Sequence, residues 1–182
     1  MSYVIARVIK VKSTAIGAMQ YHNDRAPGEH LNPDIDPERT HLNYELHDAE
    51  GCYLPRKYAA EVDAKIAANR ASGRKVRKDA VKLVEGIITA SPEFFTGRSR
   101  KEVQAYFTEA VAFMEKKVGR GNIFSAVVHM DEKTPHLHLC FVPLTADGRL
   151  SAKEIIGNRK NLVKWQDEFW QHMVKQYPEL ER

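Results

Sequence analysis

An α+β sandwich, with a mostly antiparallel sheet, helices packed on one face and a cleft on the other, is what this chain predicts. Three observations carry that reading. Several segments alternate apolar and polar residues with period two, separate segments carry amphipathic helical stripes, and two adjacent alternating runs form a hairpin with histidines on one side.

The hairpin spans Phe124 to Pro143, FSAVVHMDEKTPHLHLCFVP. Ile123 to Met130 and His136 to Pro143 alternate as strands do, and Asp131–Pro135 has the length of a hairpin loop. Alternation puts Phe124, Ala126, Val128 and Met130 on one face with Leu137, Leu139 and Phe141, an apolar set that needs a cover. Ser125, Val127 and His129 point the other way with His136, His138 and Cys140. Pairing brings His129 opposite His136 and His138, with Glu132 over them from the loop. A lone histidine on a strand is ordinarily packed or solvated. Three converging imidazoles with a carboxylate are a ligand set for a divalent ion that leaves positions open for water or substrate. The spacing is not the helical HExxH of zinc proteases, and no thiolate set exists for a closed structural site.

The remaining elements follow in order. Tyr3 to Val11 reads as a strand, and Ser13–Thr14 opens a helix carrying His22 and Arg25 three residues apart, hence on one side. Ala26 to Arg39 holds three prolines and reads as a long surface loop, the length of a flap over a substrate. Thr40 to Leu46 alternates as a second strand, with His41, Asn43 and Glu45 on one side and Tyr44 on the other. Tyr53 to Ser72 is a helix with a modest stripe of Ala59, Val62 and Ile66, stopped at Ser72–Gly73. The basic cluster after it contains Arg74, Lys75, Arg77 and Lys78. Such runs are usually solvated surface, and this one is also a candidate nucleic-acid contact. Ala80 to Ala90 is a third strand. Ser99 and Glu102 form a capping box opening a helix whose stripe, Val103 to Met114, covers the hairpin's apolar face until Gly119 ends it. Asp147–Gly148 is a turn, and Asn158 to Tyr177 is a final helix whose Trp165 and Phe169 belong to the core.

The 182 residues fit one domain with a full core. Composition is that of a globular protein, 43% hydrophobic and 29% charged with mean hydropathy −0.49. A net charge of +4 and a pI near 9.0 are compatible with a polyanionic partner. With only Cys52 and Cys140 there is no disulfide framework, and a reducing, cytoplasmic compartment fits. No signal-peptide pattern and no apolar stretch near membrane-spanning length appears, so no membrane contact is expected from this domain.

On these residues the chain resembles a known family. HMDEKTPHLH matches the HxDExxPHxH motif of plasmid mobilisation or recombination relaxases of the MobV class (Mob/Pre). YHNDR resembles the family's HNxR element, HLNYEL its second element, and RKDAV with the following strand agrees too. The similarity runs from Met1 to about Pro143 and on toward the end.

The resemblance implies an HUH-endonuclease fold with a central five-stranded antiparallel sheet, helices mainly on one face and a metal site on the other. It places a divalent ion, Mn²⁺ or Mg²⁺, on His129, His136 and His138, with Glu132 as a further ligand or a base. His22 maps to the family's nucleophile, which attacks the scissile phosphate, expels a 3′-hydroxyl and leaves a 5′-phosphoramidate. Arg25 maps to the arginine expected to hold that phosphate by two parallel hydrogen bonds, and Asn43, Tyr44 and Glu45 to site support or DNA contacts. The implied activity is nicking and rejoining one strand at a plasmid origin of transfer, initiating mobilisation. The implied partners are single-stranded or hairpin origin DNA, with relaxosome or coupling proteins. The chain is expected to be the relaxase domain, residues 1–182, of a parent that continues into a C-terminal region. The alternatives are an HUH nuclease or rolling-circle initiator using Tyr21, Tyr44 or water, and a DNA-binding autoregulator without turnover.

Overall fold

The computed structural model describes residues 1–30, 32–46, 57–69, 76–77 and 79–182. In chain order the elements are β1 (Ser2–Val11), α1 (Ile16–Asn23), β2 (Tyr44–Glu45), α2 (Tyr58–Asn69), β3 (Leu83–Ala90) and α3 (Pro92–Phe95). They continue with α4 (Arg100–Val118), β4 (Ile123–His129), β5 (His136–Phe141), α5 (Ala152–Ile156), α6 (Arg159–Met173) and β6 (Leu180–Glu181). One sheet joins the strands in the order β2-β4-β5-β3-β1-β6. Five strands are antiparallel, as expected. The sixth, β6, adds two residues parallel to β1 through Ser2↔Leu180 and Tyr3↔Glu181.

The hairpin forms in the register that alternation predicts: His129 opposes His136, Val127 opposes His138 and Val128 opposes Leu137. The main core lies on the other face, where Ala126, Val128, Leu137, Leu139 and Ile88 meet α4 and α6. Ser99 and Glu102 close the α4 capping box. Gly86 lets α4 settle on mid-sheet, since a Cβ there would stand 3.3 Å from Met114 Cε. Trp165, Phe169 and Met173 of α6 are buried in the same core, so those aromatics fill space.

Three departures from the sequence reading bear on the site. The first is a bulge between Ile123 and Ser125. It rotates Phe124 off the main core and into a second one, with Val11, Ile16, Tyr58, Val62, Ile66, Leu83 and Cys140. The histidine face is therefore only partly a cleft, because α1 and α2 cover its other end. Second, the predicted strand Thr40–Leu46 shrinks to Tyr44–Glu45, because Pro37–Leu42 coil into a 3₁₀ turn capped by the Asp36 side chain. Third, β3 starts at Leu83 rather than Ala80, and α6 stops at Met173 rather than Tyr177. The predicted extensions of α2 over 53–56 and 70–72 lie outside the described residues. Among the described residues, no helix is long and apolar enough to cross a membrane.

Candidate active site

The last turn of α1 meets the tip of the β4–β5 hairpin. α1 ends in a Schellman turn: Ala26 N–H donates to the Tyr21 carbonyl (3.1 Å) and Arg25 N–H to that of His22 (3.3 Å). The left-handed position in such a turn is usually glycine. Here it is Arg25, at φ 48°.

The Arg25 side chain accounts for that placement. Its Nε and Nη2 donate in parallel to the two oxygens of Asp131, both at 2.9 Å, and Nη2 also reaches Glu132 Oε1 at 2.6 Å. Nη1 donates to the His22 carbonyl at 2.8 Å and lies 3.2 Å from His22 Nδ1. The guanidinium side chain is 4% exposed. Its two parallel bonds are thus spent inside the protein, on Asp131, which departs from the expected phosphate clamp. Burial alone would raise the Asp131 pKa, but bonds from Arg25, Asn43 and Thr40 outweigh it and hold the carboxyl well below the usual range. Asp131 also ties the preceding loop down, because its backbone carbonyl accepts from Asp36 N–H. The predicted flap is docked on the hairpin tip.

Each hairpin histidine has one nitrogen anchored and the other turned inward. His129 Nε2 lies 3.0 Å from the Asn23 carbonyl oxygen, His136 Nδ1 lies 2.9 Å from that of Thr134, and His138 Nδ1 lies 2.8 Å from Glu85 Oε1. Those acceptors select the tautomers that leave His129 Nδ1, His136 Nε2 and His138 Nε2 as lone pairs. His129 Nδ1 and His138 Nε2 are buried and have no hydrogen-bond partner. Glu132 Oε1 sits 3.8 Å from His129 Nδ1 and 3.6 Å from His136 Nε2, while Oε2 accepts from Asn32. Ligand atoms of His129, Glu132 and His136 lie within 4.8 Å of one another, as do those of His22, His129 and His138. Orphaned inward lone pairs with anchored outer nitrogens fit a divalent ion. The two groups differ in one respect: both ring nitrogens of His22 face the Arg25 cation, a poor setting for a metal ligand. His129 belongs to both groups, and the His136 ring, in the first, lies 4.9 Å from that of His138, in the second.

His22 packs edge-on against His129 and His138, with ring centroids 5.2 and 5.1 Å apart. Its side chain stays 34% exposed, and Nε2 lies 4.0 Å from Glu132 Oε1. Burial first, then the His138 and Arg25 charges, push its pKa down to about 4, so the imidazole is neutral at physiological pH.

The remaining candidates fall on either side of this cluster. Asn43 buttresses it: Nδ2 donates to Asp131 and Oδ1 accepts from Met130 N–H. Tyr44 leans on the main core, with its hydroxyl buried and unpartnered and its pKa raised by burial, which disfavours it as a nucleophile. Both line a groove of about 450 Å³ with Arg25 and Arg100. Tyr21 directs its hydroxyl to the carbonyls of Pro27 and Glu29. Arg77 is exposed and paired with Asp79 at 2.7 Å, and Arg74, Lys75 and Lys78 lie outside the described residues. Sequence reasoning missed Asp131, Glu85, Asn23 and Asn32. Asp131 stood inside the quoted motif, and Glu85 is an acid in an otherwise apolar strand, a signal that a buried partner waits opposite.

Comparison with known proteins identifies a family. The family model described as plasmid recombination enzyme (Mob_Pre) matches residues 1–182. Plasmid recombination enzyme type 3 of Mammaliicoccus lentus is 43% identical over 183 residues, covering all of this chain and 43% of that protein. Type 1 of Staphylococcus aureus is 40% identical over all of this chain and 44% of its own length. The chain thus spans under half the length of these relatives. Among solved structures, the manganese-bound MobM relaxase domain in complex with pMV158 oriT DNA aligns with TM-score 0.89 and 35% identity. That alignment covers 99% of this chain and 89% of the other. A family model over residues 1–182, 43% identity across all of this chain and the fold shared with the MobM relaxase domain agree: the chain belongs to the plasmid recombination enzyme family.

Proposed function

We propose that residues 1–182 form a DNA-nicking relaxase domain that cleaves one strand at a plasmid origin of transfer through His22 and can rejoin it. The observation that carries this reading is the neutral His22 ring packed against His129 and His138, whose inward nitrogens are buried and unpartnered. The MobM domain, of the same fold, binds oriT DNA and manganese, which supports single-stranded origin DNA as substrate and Mn²⁺, or Mg²⁺, as the ion.

His129, His136 and His138 would hold that ion, with Glu132 as a fourth donor. When bound it supplies positive charge that neutralises the phosphate oxygens and steadies the transition state. A His22 nitrogen donates its lone pair to phosphorus, forming a P–N bond as the P–O3′ bond breaks. The 3′-oxygen gains one proton and the imidazole gives one up, so the exchange balances. Glu132, 4.0 Å from His22 Nε2, would carry it where it acts as the base instead of as the fourth donor. The P–N linkage lets a 3′-hydroxyl reverse the step and reseal the strand.

Arg25 acts as a positioning residue. It fixes the His22 carbonyl and keeps a positive charge beside the ring, which holds the nucleophile unprotonated. Asn43 sustains the same network through Asp131. Arg77, with Arg74, Lys75 and Lys78, is assigned to phosphate contacts along the strand, and initiation of mobilisation would take place in the cytoplasm with relaxosome or coupling proteins.

The test uses a pool of randomised single-stranded DNA. Mn²⁺ is expected to yield cleaved strands, with protein attached to the 5′ ends, and EDTA is expected to abolish both products. Undiminished cleavage in EDTA, or no cleaved strand in Mn²⁺, would overturn the reading.

A further inference from the structure

The Asn23 side chain has no part in the chemistry above. Asn23 is the last residue of α1, bonded directly to His22, and it is 2% exposed. An amide at that depth is costly. Its Oδ1 is buried without a hydrogen-bond partner, and an orphaned buried acceptor destabilises the fold where an apolar side chain would not.

The other end of the amide is engaged. Nδ2 donates to Glu85 Oε1 at 3.4 Å and lies 3.7 Å from Cys140 Sγ. Glu85 and Cys140 face each other across β3 and β5, so the amide sits over the seam between the two strands. The reverse orientation would set the amide oxygen against the Glu85 carboxylate, which can only accept. Glu85 Oε1 is also the atom that meets His138 Nδ1, at 2.8 Å. The Asn23 carbonyl meanwhile accepts from His129 Nε2 at 3.0 Å. One residue thus holds His129 through its backbone and reaches His138 at one remove through its side chain.

We infer that the Asn23 side chain is a positioning residue, which ties the helix turn carrying His22 to the metal-facing histidines through Glu85. The inference rests on the relaxase reading, because it concerns how the nucleophile and the ion are set relative to each other. A second donor on Oε1 restricts how the Glu85 carboxylate turns about its broad terminal torsion, and the His138 ring follows that carboxylate. The last turn of α1 then moves against the sheet only by breaking two contacts, one to His129 and one to Glu85.

The experiment titrates Mn²⁺ into the metal-stripped chain by calorimetry and records the visible spectrum of its Co²⁺ form, whose bands report ligand geometry. Asn23→Ala is expected to weaken Mn²⁺ binding on the order of tenfold, the lower end for outer-shell partners, and to shift the Co²⁺ bands. A role confined to packing would lower the urea midpoint and move neither. Asn23→Asp keeps the shape but sets a like charge against Glu85, so it should weaken binding further. Added to Glu85→Gln, Asn23→Ala should cost little more, because both act along one path. If Asn23→Ala does not fold, Asn23→Asp decides. Wild-type Mn²⁺ affinity with an unshifted Co²⁺ spectrum, or losses that simply add to those of Glu85→Gln, would overturn this role while leaving nicking by the wild type in place. Wild-type protein that takes up no Mn²⁺ would overturn both this role and the metal-assisted reading.

Discussion

Glu85 shows what a single residue contributes here. Its carboxylate sits 2.8 Å from His138 Nδ1 and is 5% exposed, so it fixes both the tautomer and the ring plane of one metal-facing imidazole. Glu85→Gln keeps the shape and loses the charge. It is expected to weaken Mn²⁺ binding about ten- to hundredfold in titration calorimetry, with an unchanged circular dichroism spectrum. Equal affinity would contradict that role. The hairpin histidines and Glu132 were legible because imidazoles at period two on facing strands converge in one way only, whereas His22 was singled out by the resemblance of YHNDR to a family element. Glu85 lies 39 residues before the hairpin's first residue, Phe124, and its partner is set by sheet order, which alternation does not specify. Arg25 was legible as a site residue but not in its role, since the partner that consumes its donors, Asp131, is brought to it only by the folded loop.

At the scale of elements, long periodic segments could be read and short irregular ones could not. The capping box of α4 was visible as Ser99 followed by Glu102, and its hydrogen bonds form as expected. Ser99→Ala should cost about 1 kcal/mol in urea denaturation while leaving Mn²⁺ affinity unchanged, because the cap is remote from the histidines. A loss of metal binding in that variant would mean that α4 and the hairpin are coupled more tightly than their packing implies. The bulge at Phe124 has no sequence signal, since one inserted residue breaks period two without leaving a mark. The two-residue strands β2 and β6 exist only through their neighbours' edges, Val127–Val128 and Ser2–Tyr3. The 3₁₀ turn before β2 is held by Thr40 and Asn43 on Asp131, contacts that span about ninety residues of chain.

For the molecule as a whole, two cores clamp one sheet, and the histidine cluster is buried on one face where the last turn of α1 meets the hairpin. Concentrating imidazoles there links stability to pH. Burial pushes His22 from 6.5 to about 4 and lowers His129 and His136 as well. In the unfolded chain these rings take up protons near pH 6.5, but in the folded, metal-free protein they do so only at lower pH. The unfolded state therefore binds more protons in that window, and stability rises from about pH 4 to about 6.5 and then levels. Urea midpoints of the EDTA-treated protein should follow that curve, and a flat profile would contradict it.

The central claim is that His22 becomes covalently joined to DNA. Peptide mapping by mass spectrometry, after reaction with Mn²⁺ and single-stranded DNA, tests it directly. A nucleotide is expected on the peptide containing His22, lost on mild acid treatment and absent in His22→Ala. An acid-stable nucleotide on Tyr21 or Tyr44, or cleavage that leaves no adduct, would contradict it.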